Sequence, residues 1–501
     1  MPLGRTEREA ERQDVRARGR CVDRSQPREG PGGEYLRVKP DEPLSERSSG
    51  PAPDDTVAHP AGVSLWEQVF SRENLALALR RVEQNAGAAG IDGMGAKELR
   101  PWLKDHWPGV RSMLDAGTYR PVAVRRVTIP KPSSGQRMLG VPTVLDRLIQ
   151  QALSQVLTPL FDPGFHPHSF GFRPGRSAHE AVERARQFIA DDAAWCVDLD
   201  LDSFFDRVNH DVLMARVARR VKDKRMLKLI RAYLSAGVMD DGLIQASEEG
   251  TPQGSPLSPL LSNVMLDDLD WELARREHRF VRYADDVMIY VKSERAGERV
   301  LQSTTRFIEQ RLKLRANAGK SAVAPATRRS FLGFAFYRKD GKVRIGISRT
   351  APKRAKQRLR KLTARTWGVS MERRIHAINR FTVGWTAYYQ LADGERPFTD
   401  LDEWLRRRMR QIRWKEWKRY WTRRRNLRAL GMPERAAREW AASQKGPWRL
   451  AGSFVLQRAL PTAYWTDLGL QGFTIPFHRF RDATRTAGCG PARPVVWEAP
   501  G

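Results

Sequence analysis

Cysteine is nearly missing: there are three in 501 residues, Cys21, Cys196 and Cys489, odd in number and far apart. That excludes a disulfide framework and any CxxC metal knuckle, and it points to a reducing compartment. Long apolar runs are missing too; none approaches the roughly 18–20 residues that span a bilayer. The start, MPLGRTEREAERQ, holds no apolar core, so no secretory leader is expected. What is present in excess is positive charge: 88 Lys+Arg stand against 58 Asp+Glu, a net of +30. With 41% hydrophobic and 9% aromatic residues the chain can still build cores. A folded protein so charged is expected to meet a polyanion, most simply nucleic acid, rather than a membrane.

The charge is unevenly spread. Residues 1–63, rich in Pro, Gly and Ser, carry 11 Lys+Arg and 12 Asp+Glu and read as a disordered N-terminal tail. Residues 349–430 carry 24 Lys+Arg against 7 Asp+Glu, a net of +17, with Trp367, Trp385, Trp404, Trp414, Trp417 and Trp421 interleaved. Cations neutralise phosphates and flat rings stack on bases, although most of these rings read better as helix core. Leu401, Trp404, Leu405, Met409 and Ile412 follow helical spacing and form one apolar stripe. Arg406, Arg407, Arg410 and Arg413 then lie largely off it.

The coarse pattern is mixed α/β followed by all-α, so at least two domains are expected. A helix is predicted over 64–84, a strand–turn–strand unit over 122–142, and helices over 146–160 and 178–190, the last capped by Ser177. Strand 195–201, helical segments within 209–236, a Gly/Pro loop at 248–259 opening into a helix, a hairpin over 279–290 and a helix over 298–312 follow. A second hairpin turns at Asp340-Gly341, and helices dominate from 351 to about 443.

Chemistry concentrates at two places. In RFVRYADDVMIYV (279–291), Asp285 and Asp286 sit together at a hairpin tip, where like charges repel unless cations compensate them. The alternative is ordinary turn chemistry. In CVDLDLDSFFDRVNH (196–210), Asp198, Asp200 and Asp202 alternate, hence share one face of any strand, which should not be buried uncompensated. If this strand lies beside the hairpin, carboxylates from both can hold two Mg²⁺ ions, the arrangement for in-line nucleotidyl transfer.

YADD after that acidic strand, with TPQGSPLSPLLSN between, resembles the palm of a reverse transcriptase. The chain is most similar to bacterial group II intron-encoded reverse transcriptase/maturases. Blocks in the family's order carry the resemblance over about 64–485: NAGAAGIDG, YRPVAVRRVTIPKPSSGQRMLGVPTVLDRLIQQAL, HSFGFRPGRSAHEAV, VDLDLDSFFDRVNHDVL, EGTPQGSPLSPLLSN, RYADD, NAGKS, FLGFAF, GWTAYYQ and LDEWLRRRMRQIRWKEWKR. It implies a right-hand polymerase, with an N-terminal extension and fingers at 64–190 and a ferredoxin-like palm at 191–348. A basic all-α thumb/maturase domain at 349–430, a C-terminal maturase or DNA-binding-like region at 431–485 and a tail at 486–501 would follow.

By the same resemblance, Asp200 and Asp285 match the metal-binding catalytic aspartates. Asp286 is a weaker partner, the Leu201 carbonyl an extra metal ligand, and Asp198 and Asp202 are not ligands. Phe205 matches the ring beneath the incoming sugar, which excludes a 2′-OH. Gln253 touches the incoming nucleotide, Lys131 and Arg137 meet its triphosphate, and Lys320 lies near the pyrophosphate and supplies a proton. Arg173 and Arg176 contact template or primer, or else make structural Arg–carboxylate pairs, and Arg406, Arg407, Arg410, Arg413, Lys415 and Lys418 grip RNA. The family's PQGG is here PQGS, with Ser255 at the second glycine, which is tolerated if φ there is negative. No paired cysteines follow residue 470, so the resemblance is to members lacking the endonuclease.

The function so implied is an RNA-directed DNA polymerase, using two Mg²⁺ ions, dNTPs, an RNA template and a DNA primer. It would also bind its parent group II intron RNA as a splicing maturase and support retrohoming into target DNA, as a cytoplasmic, nucleoid-associated ribonucleoprotein. The alternatives are a splicing cofactor with a silent polymerase, and a domesticated reverse transcriptase of the retron or CRISPR type.

Overall fold

The computed structural model describes residues 63–130, 136–240, 243–245, 250 and 254–487. The tail 1–62, Cys21, Cys489, the PSSG turn, Lys131, Gln253 and the end after 487 lie outside the described residues, and of Arg137 only the backbone is described.

The expected first helix is two, α1 (Leu65–Val69) and α2 (Arg72–Asn85). The break arises because Ser71 repeats the role of Ser64: each hydroxyl accepts from the backbone N–H three residues on, at Glu67 and Asn74, so each starts a helix. After α3 (Ala96–Asp115) come β1 (Val124–Pro130) and β2 (Gln136–Val141), an antiparallel pair, and α4 (Val144–Phe161), against which α2 packs. Helix α5 (Ala178–Ala190) starts at Ser177 in a reciprocal cap with Glu180.

Strand β3 (Trp195–Leu199) ends sooner than expected. The chain curls through Ser203, at φ 49, into a short turn at Phe204–Asp206. The three alternating acids therefore do not line one strand face. Asp198 stays in β3, 3.3 Å from Arg329; Asp200 stands just past its end; Asp202 pairs with Arg207 at 3.2 Å. Helices α6 (His210–Arg220) and α7 (Lys224–Leu234) follow, then two unforeseen short strands, β4 (Val238–Asp240) and β5 (Leu243–Gln245). They extend the first hairpin into a sheet of order β2-β1-β4-β5, with β4 parallel to β1.

Next come α8 (Ser258–Arg275), the hairpin β6 (Arg279–Tyr283) and β7 (Asp286–Val291), α9 (Glu294–Phe307) and β8 (Ala322–Pro325). With β3 they form an antiparallel sheet of order β6-β7-β3-β8, the βαββαβ arrangement of a ferredoxin-like unit. The two-residue period splits its side chains between two cores. Val197, Leu199, Phe280, Val287 and Ile289 face α8 and its neighbours; Cys196, Val281, Met288 and Tyr290 face the core shared with α5 and the C-terminal helices.

Strands β9 (Ser330–Phe331), β10 (Phe334–Lys339) and β11 (Lys342–Ile347) make a third sheet, whose hairpin turns at Asp340 and Gly341, both at positive φ as an Asp-Gly turn requires. The remainder is helical: α10 (Ala351–Leu362), α11 (Met371–Tyr389), α12 (Arg396–Glu416), α13 (Tyr420–Ala429) and further helices to Ala487. Leu401, Leu405, Met409 and Ile412 are buried along α12 as its spacing predicts, and Trp385, Trp414 and Trp417 are core; Trp421 is 68% exposed. Arg410 departs from expectation. It is buried and donates from Nε to the Ala451 carbonyl at 2.9 Å, because α12 is covered on more than one side, by α10 and by the helices Pro447–Ala451 and Thr474–Ala487.

Candidate active site

The β6–β7 hairpin closes through Tyr283 and Asp286, leaving Ala284 and Asp285 as a two-residue loop. Only the first has positive φ, 56° at Ala284, the sign pattern of a type II′ turn, where glycine is the usual occupant. An alanine there is strained, and such strain persists only where the surroundings impose it. They do so here. The Arg282 guanidinium, fully buried, donates to the Ala284 carbonyl at 2.9 Å, to the Asn263 Oδ1 at 2.9 Å and to both Asp270 oxygens at 2.8 and 2.6 Å. From the other side, Gly171 lies so close that a Cβ would run into the Ala284 backbone nitrogen. The Asn263 amide donates to the Gly171 carbonyl at 2.9 Å. The Arg282 backbone completes the enclosure, donating to His168 and accepting from Phe170, both at 2.9 Å.

Asp200 is brought to the same end of the sheet. β3 and β7 pair as Asp198 with Met288 and Leu199 with Val287, so the ladder ends one residue short of Asp200 on one strand and one short of Asp286 on the other. The NAGKS loop fastens Asp200 in place. Its carbonyl accepts from Asn317 N at 2.8 Å, its N–H donates to the Ser321 hydroxyl at 3.1 Å, and its Oδ2 is 3.2 Å from Lys320 Nζ. Leu201 bridges Ala316, and the hydrogen bonds of that bridge run through Asp200 and Asp202. An antiparallel bridge of this kind turns the carbonyl of its central residue to the opposite side. Burial pushes the Asp198 carboxyl above the usual carboxylate range, against the pull of Arg329 and with the charge of Asp200 adding to it.

Phe204 is core, while Phe205 is half-buried, packs against the edge of that same core and meets the Phe204 ring edge-on at 5.1 Å. The loop that leads to Gln253 is tied to this turn: Gly250 N donates to the Val208 carbonyl at 2.9 Å, and its carbonyl lies 2.6 Å from His210 Nε2. Ser255 is buried with ordinary backbone. The left-handed residue is Gly254, at φ 108, where a Cβ would crowd the Gly140 carbonyl of β2. PQGS thus keeps its glycine at the position that needs one.

The basic residues divide. Arg173 is not available to a template: it is buried, paired with Asp162 at 2.7 Å, and donates to the carbonyls of His166, Ser169 and Asp162, which shape its own loop. Arg176 is exposed over the Phe170 ring. Arg407 stacks on Trp448 at 4.1 Å and Arg413 pairs with Glu416 at 2.8 Å. Arg406 is half-buried, whereas Lys415, which donates to the Arg365 carbonyl, and Lys418 are exposed. Burial, reinforced by Arg406 and Arg407, lowers Arg410 to about 10.

Sequence reasoning missed Arg282, Asp270, Asn263 and Ser321. One signal was legible: an arginine inside the apolar strand RFVRY needs a buried partner, and α8 carries an aspartate among leucines.

Among the described residues no three His, Cys, Asp or Glu side chains gather closely enough to hold a metal alone. The donors at hand are carboxylate and carbonyl oxygens, hard ligands that suit Mg²⁺, which is commonly held by one or two carboxylates and completed by water and substrate phosphates. Lys320 already places a cation against Asp200. The residues therefore fit a divalent ion, and the reverse transcriptase domain implies divalent-metal dependence.

Two family models match the chain: reverse transcriptase (RNA-dependent DNA polymerase) over residues 129–336, and the group II intron maturase-specific domain over 352–431. Protein YkfC of Escherichia coli (strain K12) is 33% identical over 349 residues, 61% of this chain and 91% of that protein. The group II intron-encoded protein LtrA of Lactococcus lactis subsp. cremoris is 38% identical over 174 residues, 34% of this chain but 29% of its own length. A partial Cas6-RT-Cas1–Cas2 complex is similar at a TM-score of 0.33 and 24% identity, over 50% of this chain and 43% of that one, and carries no part of the assignment. Among the described residues no helix is long and apolar enough to cross a membrane. With a polymerase domain around the YADD hairpin and a maturase-specific domain behind it, the chain belongs to the group II intron-encoded reverse transcriptase/maturase family, RNA-directed DNA polymerases of the nucleotidyltransferase class.

Proposed function

We propose that the chain copies an RNA template from a DNA primer with dNTPs, holding two Mg²⁺ ions between Asp200, the Leu201 carbonyl and Asp285, with Asp286 as a weaker partner. The observation that supports this reading is the β3–β7 register, whose ladder ends at Leu199 and Val287, next in sequence to Asp200 and to the YADD turn. Ions there supply Lewis-acid stabilisation of the attacking and leaving oxygens in an in-line displacement. The chain's own residues do the rest. Phe205 closes the space a 2′-OH would take, and Gln253 orients the incoming nucleotide. Lys131 and Arg137 meet the triphosphate, and Lys320 holds a proton at Nζ for the departing pyrophosphate.

Segments 64–190, 191–348, 349–430 and 431–485 serve as fingers, palm, thumb/maturase and C-terminal maturase or DNA-binding region. The +17 of the third binds the parent intron RNA and stabilises its splicing-competent form. Of the cations assigned to nucleic acid, Arg176, Lys415 and Lys418 are exposed and Arg406 is half-buried. Retrohoming into target DNA and a cytoplasmic, nucleoid-associated ribonucleoprotein complete the reading.

The test is primer extension on poly(rA)/oligo(dT) with Mg²⁺, beside a splicing assay on the native intron. Asp285→Ala should abolish cDNA synthesis and leave intron binding intact. Splicing without any cDNA synthesis by the wild-type chain would make it a splicing cofactor instead.

A further inference from the structure

Taking the catalytic reading of Asp285 as given, we propose that Arg282, clamped by Asp270 and Asn263 of α8, is a positioning residue: it holds the Ala284–Asp285 turn in its left-handed form and so sets where the Asp285 carboxylate stands.

The argument begins with cost. A guanidinium and a carboxylate, both wholly removed from water, are expensive to bury, and an apolar pair of the same volume would often serve stability as well. Specific geometry is what such a pair supplies. Asp270 occupies two donors of the planar fork side by side, which fixes the plane of the guanidinium. The remaining arm then has two acceptors, Asn263 Oδ1 and the Ala284 carbonyl, each at 2.9 Å. Ala284 is one peptide from Asp285. Its positive φ has no glycine to make it easy, so something must hold it, and the Arg282 arm is the side chain that grips the carbonyl of that residue.

Asn263 carries the constraint onward. Its oxygen receives Arg282 and its amide grips Gly171, whose missing side chain lets the 168–171 segment press on the turn from outside. The turn is thus held between α8 and the FGF loop, and Asn263 joins the two. A lysine at 282 would keep the charge opposite Asp270 but has no planar fork to reach Asp270, Asn263 and Ala284 together.

The experiment compares Asn263→Ala, Arg282→Lys and Asp285→Ala with the wild-type full-length chain. Three quantities are read: kcat and dNTP KM in primer extension, affinity for an RNA–DNA duplex, and Mn²⁺ binding to the free protein by electron paramagnetic resonance, with circular dichroism melts reporting the folded fraction. The expected result for Asn263→Ala is a kcat lower by about 10- to 100-fold, the scale of an ångström-sized misplacement. Its dNTP KM and duplex affinity should stay within about twofold, and its Mn²⁺ binding should weaken. Arg282→Lys should move the same way and further; if it does not fold, Asn263→Ala alone decides. A kcat within about twofold of wild type with unchanged Mn²⁺ binding, or losses in all quantities that track the folded fraction, would overturn the proposal. Retained synthesis by Asp285→Ala would instead overturn the catalytic reading on which it rests.

Discussion

Lys320 places its ammonium 3.2 Å from Oδ2 of Asp200, while the neighbouring Ser321 hydroxyl accepts from the N–H of the same aspartate. One short loop, NAGKS, thereby brings an ammonium and a backbone support to a single aspartate. Because Lys320 is largely exposed, the contact adds little to stability, and its value lies in where it puts the charge.

Lys320→Ala should therefore leave the melting temperature nearly unchanged and slow single-turnover nucleotide addition by roughly 10²-fold, the typical weight of a general acid. Lys320→Arg, which keeps the charge but yields a proton reluctantly, should rescue little. Equal rates for all three at saturating Mg²⁺ would reduce Lys320 to a surface counter-ion.

Phe205→Ala removes the half-buried ring while Phe204 keeps the core filled. Ribonucleotide incorporation should rise relative to deoxyribonucleotide, measured as the ratio of the two kcat/KM values. Sugar selectivity equal to that of wild type would reject the steric role.

Arg410 and Lys418 separate packing from binding. Arg410→Ala deletes a buried donor to Ala451 and should cost about 2 kcal/mol in denaturant unfolding. Lys418→Ala should barely move the unfolding midpoint. It should weaken intron RNA binding and flatten the salt dependence by about one counter-ion. The opposite pattern would mean that α12 rather than the exposed segment after it meets the RNA.

Asp267, beside the buried pair on α8, has its carboxyl pushed up to about 6, by burial first and by the charge of Asp270 next, against Arg282. The folded state thus holds a proton that the unfolded chain releases near pH 4. Stability is favoured at low pH and falls as pH rises from about 4 to about 6. Asp267→Asn should stabilise the protein at pH 7 by about 1 kcal/mol, a gain that shrinks as pH falls from about 6 to about 4. A gain independent of pH would show that the titration of Asp267 is not its source.

Much of this architecture was legible in the residues themselves. Periods of two and 3.6 placed the strands and helices, Asp340-Gly341 announced its turn, and Ser177 its helix start. The acids flanking apolar strands pointed to cations. Charge arithmetic isolated a basic module, which lies where the maturase-specific domain matches. These are local properties, decided by neighbours within a few positions.

The rest depended on which segments meet across long separations. Arg410 read as a surface cation because arginine is usually solvated, yet a helix some forty residues on buries it. The early end of β3, which scattered the three acids, follows from the curl at Ser203. Arg282, Asp270, Asn263 and Gly171 come from a strand, a helix and a loop, and their sequence shows no period that joins them. Composition and spacing therefore determined what kind of site this protein could build. Tertiary contact alone decided which segments meet around the YADD turn, since hydrogen-bond geometry between distant segments exists only once they are packed.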